Sequence, residues 1–230
     1  NVSVDGGTIK LDGNYPVGTG NVALGDAALD SITSGGTNTA VGGGSLTALT
    51  SGNNNHAFGH GALQSNVSGG ENVAIGRLAL QANTASANTA VGHNAGYNNT
   101  TGANNVAVGS SALVSNTTAS NNTAVGYYST GANTTGTRNT ALGNLSLRTN
   151  TTASDNTSIG YFSMLYNTTG ASNTALGSYA LNSNTTASNN TAVGYQAGYT
   201  NTTGTRLSAL GLKALYANTT GSENVAMGAY

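Results

Sequence analysis

An apolar side chain returns at one phase of a short cycle along almost the whole chain: Leu24, Val41, Phe58, Ile75, Val91, Val108, Val125, Leu142, Ile159, Leu176, Val193, Leu210 and Met227. Each stands fourth in a block that opens with Asn, continues with a small, β-branched or His residue and then Ala, and closes on Gly. The blocks begin at Asn21, Asn38, Asn55, Asn72, Asn88, Asn105, Asn122, Asn139, Asn156, Asn173, Asn190, Leu207 and Asn224, with Leu207 the one opening that departs from Asn. Neighbouring openings lie 17 residues apart, except Asn72 to Asn88, which is 16. A unit this short has no way to bury its apolar face alone. The period therefore implies one supersecondary unit stacked on copies of itself.

With columns counted from the opening residue, the second to fourth predict a short strand. In the block at Asn122, Thr123 and Val125 fall on one face and Asn122, Ala124 and Gly126 on the other. Gly and β-branched content at this spacing disfavours a helix. The third column is Ala except for Ser158, the eighth is always Ala or Ser, and the ninth is mostly Leu, with Gly96, Thr130, Met164 and Gly198 as exceptions. The fifth is Gly throughout: Gly25, Gly42, Gly59, Gly76, Gly92, Gly109, Gly126, Gly143, Gly160, Gly177, Gly194, Gly211 and Gly228. Such a column marks a backbone site needing positive φ or the close approach of another segment. Further along, Asn-Thr-Thr followed by Gly or Ala recurs at Asn99, Asn116, Asn133, Asn150, Asn167, Asn184, Asn201 and Asn218. These residues bond their own backbone in turns, and Asn tolerates the left-handed conformation.

The expectation is an all-β, parallel β-solenoid (β-roll) of 17-residue coils, each with two short strands and two turns. Residues 1–20 read as a non-repeating lead-in or cap, and 21–230 as about twelve repeats cut off at the C-terminal end. Coils rising about 4.8 Å each would set like residues in register, with Asn amides and Thr hydroxyls bonding to their copies above and below, in a rod of about 60 Å. The fourth-column apolar residue, the ninth-column Leu and two Ala are the expected buried side chains of each coil. That is little burial against the entropy of ordering it. Small columns such as Ala107, Gly109 and Ala112 look suited to the close approach of another surface, so self-association is expected, most simply a homotrimer about a common axis.

Composition removes several partners. The chain has 34 Gly, one Pro and 6% charged residues, with a net charge of -1, so its polarity comes from Asn, Thr and Ser. Lys10, Arg77, Arg138, Arg148, Arg206 and Lys213 are scattered, which argues against nucleic acid and anionic membrane as partners. No run of about 18 apolar residues appears, so no membrane insertion is expected in this segment. A disordered linker would share the composition but has no reason to hold an apolar residue in phase. Zero cysteines exclude disulfide staples and thiolate metal sites. The chain starts at Asn1 without Met, has no signal peptide and stops at Tyr230 inside a repeat, and so reads as part of something longer.

Candidate chemistry is sparse, and no catalytic, metal or cofactor-binding residue is expected. Three histidines, His56, His60 and His93, are few for a nucleophilic triad. In an extended strand His56 and His60 would stand about 13 Å apart, too far to share an ion. Asp26 and Asp30, and Asp5 and Asp12 in the lead-in, lack neighbours of opposite role for glycosidase work. Gly42 to Gly44 lacks the Lys and helix start of a phosphate loop. The Asn-Thr-Thr triplets match the N-glycosylation pattern, but glycans about 5 Å apart would collide, so a structural ladder is the reading preferred.

Tyrosine stands out, with 11 Tyr against 2 Phe and no Trp. Tyr127, Tyr161 and Tyr195 occupy the sixth column of every second coil, and the same 34-residue beat makes Gly102, Gly136, Gly170 and Gly204 alternate with Ala119, Ala153 and Ala187. With Tyr97 and Tyr199 they are candidates for contact with a glycan or receptor, since ring faces stack on sugars while amides bond hydroxyls. Packing between chains at a trimer seam is the other reading of the same rows.

Asn72 to Gly76 (NVAIG) and Asn224 to Gly228 (NVAMG) resemble the head repeats of trimeric autotransporter adhesins. The string NTAVGYQAGYTNTTGTR at Asn190 to Arg206 is similar to repeats of phage tail-fibre and bacterial surface proteins that carry a C-terminal self-cleaving chaperone domain. The resemblance covers residues 21–230 and implies a left-handed parallel β-roll in a tight trimer. The adhesin head repeat is usually shorter than 17 residues, and no anchor, coiled-coil stalk or chaperone domain lies within this sequence. The functional expectation is a non-catalytic, extracellular structural or adhesive fibre segment, on a bacterial cell surface or a virion. An ice-binding solenoid, suggested by Thr100, Thr117, Thr134 and Thr151, and a glycan-cleaving tailspike-like enzyme are the alternatives.

Overall fold

The computed structural model describes residues 17–229; most of the lead-in, including Asp5, Lys10 and Asp12, lies outside the described residues, as does Tyr230. Thirteen three-residue strands run from β1 (Val22–Leu24) through β7 (Thr123–Val125) and β8 (Thr140–Leu142) to β13 (Val225–Met227). They form one parallel sheet in strict sequence order. Pairing sets each column on its own copy: Thr123 on Thr140, Ala124 on Ala141, Val125 on Leu142. The chain is a parallel β-solenoid. Among the described residues each coil contributes one strand, not the two expected, and the rest of the coil is turns.

The 16-residue coil from Asn72 to Ala87 keeps register, pairing Val73 with Thr89. The missing residue comes out of the turn. Asn83 Nδ2 donates to the Ala85 carbonyl two residues on at 2.8 Å, whereas Asn99 in the next coil reaches three residues on, to Gly102.

The interior is narrow, and that decides which residues enter it. Third-column Ala40, Ala57, Ala74, Ala124 and Ala141 and ninth-column Leu46, Leu63, Leu113 and Leu147 are buried, together with first-column and turn Asn side chains. Strand alternation then sends the second and fourth columns outward. The fourth column was expected inside; instead Leu142 and Leu176 are 46% and 37% exposed, because the inward strand position is filled by the third column, where only Ala or, at Ser158, Ser stands. The eighth-column Ala and Ser also face inward. Ala107 and Ala112 thus pack within their own chain, and a Cβ on Gly109 would stand 2.6 Å from the Gly126 carbonyl oxygen of the next coil. The small columns serve stacking inside the solenoid, so they are not an argument for another chain.

Between Ala124 and Ala141 the apolar core divides into two clusters. Hydroxyls interrupt it here: Ser129 and Thr130 are buried between the two clusters, and Ser129 Oγ donates to the Ala141 carbonyl at 3.2 Å.

Asparagine supplies the polar half of the core. Turn Asn side chains form a continuous relay from Asn83 to Asn218, each Nδ2 donating to Oδ1 of the Asn one coil back, for example Asn116 to Asn99 at 2.7 Å and Asn150 to Asn133 at 2.9 Å. The same Nδ2 groups also bond a carbonyl of their own turn, as Asn133 does to Gly136 at 2.9 Å. First-column Asn side chains work differently: Asn122 Oδ1 accepts the Asn139 backbone N–H at 2.9 Å, while its Nδ2 donates to the Gly136 carbonyl. Threonine hydroxyls reach the carbonyl of their copy, not its hydroxyl, as Thr134 does to Thr151 at 3.0 Å. Buried amides so engaged are not acceptors for glycan, in keeping with the ladder reading.

The left-handed backbone lies elsewhere than expected. In the Asn122 coil it is not Asn133 but Tyr128, Thr130 and Arg138 that take positive φ, at 49°, 52° and 56°, and the ninth-column Leu113, Leu147 and Leu181 do the same. Such conformations cost a non-Gly residue about 1–2 kcal/mol each. All three are pinned by backbone bonds between coils: Tyr128 N–H to Ser110 O, Thr130 N–H to Ser146 O and Arg138 N–H to Ser120 O.

Candidate functional site

Beyond the strand and its Gly, the chain turns a corner at the sixth and seventh columns, and the aromatic residues collect there. Gly126 makes the corner. Its φ is +130°, and a Cβ would stand 2.4 Å from the Gly143 carbonyl oxygen, so both causes anticipated for this column operate together.

Tyr127, Tyr161 and Tyr195 project from this corner, each about half exposed (50%, 47% and 47%). Tyr161 packs on Phe162 with centroids 4.2 Å apart. Tyr179, in the coil between, meets Tyr161 and Tyr195 edge-on at 5.5 and 6.3 Å, both at 81°. It also lies near-parallel to Phe162 at 5.5 Å and 6.2 Å from Tyr199, which stacks on Tyr216 at 5.2 Å and 4°. The result is one wall of six rings across four consecutive coils. Burial, followed by the neighbouring Tyr161 phenol, pushes the Tyr179 hydroxyl up from its ordinary value.

Of the tyrosines singled out from the sequence, the structure thus joins Tyr161, Tyr195 and Tyr199. Tyr127 forms a separate edge-on pair with Tyr128 at 5.0 Å, capped by the Arg148 guanidinium 5.9 Å from the Tyr128 centroid. Tyr97 lies in an earlier coil, and among the described residues no ring contact ties it to the wall. Sequence reasoning missed Phe162, Tyr179 and Tyr216. The first two stand in the seventh column, and reading that column beside the sixth would have shown that the alternate Tyr are bridged, not isolated.

A second feature is the outward file of the fourth column. Phe58, Ile75, Leu142, Leu176 and Leu210 are exposed and Val91, Val108, Val125, Ile159 and Val193 half-buried, all on the open face of the same sheet. This file runs the length of the described solenoid.

Charged groups are arranged for pairing between coils. Arg138 grips Asp155 through Nε and Nη2 at 2.6 and 2.9 Å, and the hydrogen bond from Arg138 holds the Asp155 carboxyl below its usual range. Arg206 bonds Glu223 one coil on, and Arg77 Nη1 lies 3.3 Å from His93 Nε2. His60 and Asp26 are exposed and His56 is half-buried on the sheet face. Among the described residues no three His, Asp or Glu side chains gather around a common point, and no helix is long and apolar enough to cross a membrane.

Comparison of the chain with protein-family models, with curated proteins and with solved structures finds no match. The stacked coils are those of a repeat protein, and no match assigns them to adhesin or tail-fibre repeats.

Proposed function

We propose that the chain is a non-catalytic, extracellular fibre segment of a surface adhesin or a phage tail fibre, in which three copies stand side by side as a homotrimer. The outward apolar file carries this reading. A row of Val, Ile and Leu on a flat sheet face, repeated every coil, is a surface that soluble monomers rarely leave in water. A second copy of the chain has the same spacing over the same length and so matches it residue for residue. Closed, cyclic assembly would cover all the files at once. The neutral surface of Asn, Thr and Ser suits a spacer that binds no polyanion, and a stiff rod holding identical weak sites in rows gains strength through avidity.

Sedimentation velocity at micromolar concentration tests this. A trimer is expected, and the double variant Leu142→Asp/Leu176→Asp should run as a monomer that retains its β circular dichroism. A parent chain that is monomeric throughout would remove the reading.

An ice-binding surface is the second reading, favoured by the exposed file Thr118, Thr135, Thr152, Thr169, Thr186 and Thr203. The file first suggested for it is otherwise engaged, since Thr100, Thr117, Thr134 and Thr151 donate their hydroxyls to carbonyls. Thermal hysteresis in the purified protein is the measurement that separates the two.

A further inference from the structure

Tyr127, Tyr161 and Tyr195 recur every second coil, which at about 4.8 Å per coil sets them about 10 Å apart along the axis. We propose that they are stacking platforms for one extended, uncharged pyranose chain lying along the solenoid, with every second sugar resting on a tyrosine. An equatorially linked pyranose chain repeats every two sugars, over a length close to this step. Its rings carry C–H faces that pack on aromatic rings and an equatorial rim of hydroxyls.

Three observations favour a sugar chain over a second copy of the protein. The aliphatic file repeats in every coil, as a seam between parallel chains must, but the tyrosine row does not. In the earlier coils the sixth column holds Asp26, Gly43, His60, Arg77, His93 and Ser110. The rings are also held ready: Tyr161 and Tyr195 are both fixed at 81° to the Tyr179 ring between them, while about half of each side chain remains open to water. Finally, the intermediate coils put Asn144 and Ser178 in the sixth column, an amide and a hydroxyl level with the sugars between the platforms; the Ser178 hydroxyl donates to the Tyr161 carbonyl and leaves its lone pairs to accept from a sugar.

Charge points to a neutral ligand. The cations nearest the row are already engaged with rings, Arg148 over Tyr128 and Lys213 Nζ 5.4 Å from the Tyr216 centroid. The sixth and seventh columns from Tyr127 to Gln196 carry no charged residue. A sulfated or uronic acid chain would meet no cation within the two columns that carry the row.

This deepens the fibre reading by giving it a ligand class, and rests on it only in that assembly would multiply the row. Calorimetric titration of the full chain with cellulose and chitin oligosaccharides of two to six sugars, alongside sedimentation, tests it. Affinity is expected to rise in two steps: three sugars span two tyrosines, and five span all three. Tyr161→Ala should weaken hexasaccharide binding about tenfold, a typical loss for one aromatic platform. Tyr161→Leu, which keeps an apolar side chain against Phe162, should weaken it likewise with the melting point held, whereas Tyr97→Ala should change nothing. The proposal is overturned if neither hexasaccharide binds, if affinity is independent of length, or if Tyr127→Ala/Tyr161→Ala/Tyr195→Ala binds like the parent. It is overturned equally if that triple variant loses assembly, which would make the row a seam. A parent monomer that binds with both length steps would remove the trimer and leave the sugar site standing.

Discussion

Asn133 donates from Nδ2 to Oδ1 of Asn116 at 2.9 Å, with both side chains fully enclosed. The bond is one link of a relay in which each amide gives one hydrogen to the coil behind and one to its own turn. Removing one member unpairs groups on both sides, here Asn116 Oδ1, one Nδ2 hydrogen of Asn150 and part of the demand of the Gly136 carbonyl. Asn133→Ala is expected to cost about 2–4 kcal/mol, the sum of one or two buried polar groups left unpaired. Guanidinium unfolding would measure it, and hydrogen exchange should show the loss concentrated in the coils at Asn105, Asn122 and Asn139, because stability in a stacked array is local.

Gly126 faces two prohibitions at once, a φ of +130° and a carbonyl oxygen 2.4 Å from where a Cβ would stand. Gly136 faces one, a Cβ 2.1 Å from the Ala153 carbonyl oxygen. Both Gly126→Ala and Gly136→Ala are expected to lower the melting temperature by several degrees, roughly 2–4 kcal/mol apiece, with the larger effect at Gly126. Equal or negligible effects would contradict the stacking described.

Thr130 stands where the neighbouring coils have Leu113 and Leu147, and its buried hydroxyl oxygen has no hydrogen-bond partner among the described residues. Val has the same shape and the same β-branching. Thr130→Val should therefore raise stability by about 1 kcal/mol, read as a shifted denaturation midpoint with an unchanged slope.

The Arg138–Asp155 pair is exposed, and its contribution is expected to be small and screened by salt. Its sign is set by the lowered Asp155 pKa: the native state favours the carboxylate, so the stabilisation is present above the unfolded carboxyl pKa, about 3.9, and is lost as pH falls through the lower folded value. Asp155→Asn should leave the melting point near neutrality almost unchanged and flatten its fall below about pH 4.

The period and the inward run of Asn, Ala and Gly made the solenoid legible from sequence, because alternation along three residues needs no knowledge of the rest of the coil. Column identity was enough to place Gly126 and to foresee the Asn116–Asn133 relay. It was not enough to tell whether Val125 or Ala124 points inward, since both faces of the strand carry apolar residues and the width of the interior decides between them. The left-handed Leu147 was hidden for a related reason: propensity assigns such backbone to Asn or Gly, and only the bond from its N–H to the Ser163 carbonyl makes it tolerable. The wall around Tyr179 was half visible, because contacts between neighbouring columns of successive coils have no signature along a single coil.

Each strand pairs only with the one before and the one after. Pulled from its two ends, such a chain has no long-range clasp to share the load, so it should give way by unravelling from an end, one winding at a time. Each release would lengthen the tether by about 50 Å, the contour of 17 residues less one strand spacing. The shorter winding that opens at Asn72 would register as a single reduced step, a built-in fiducial mark in the force trace.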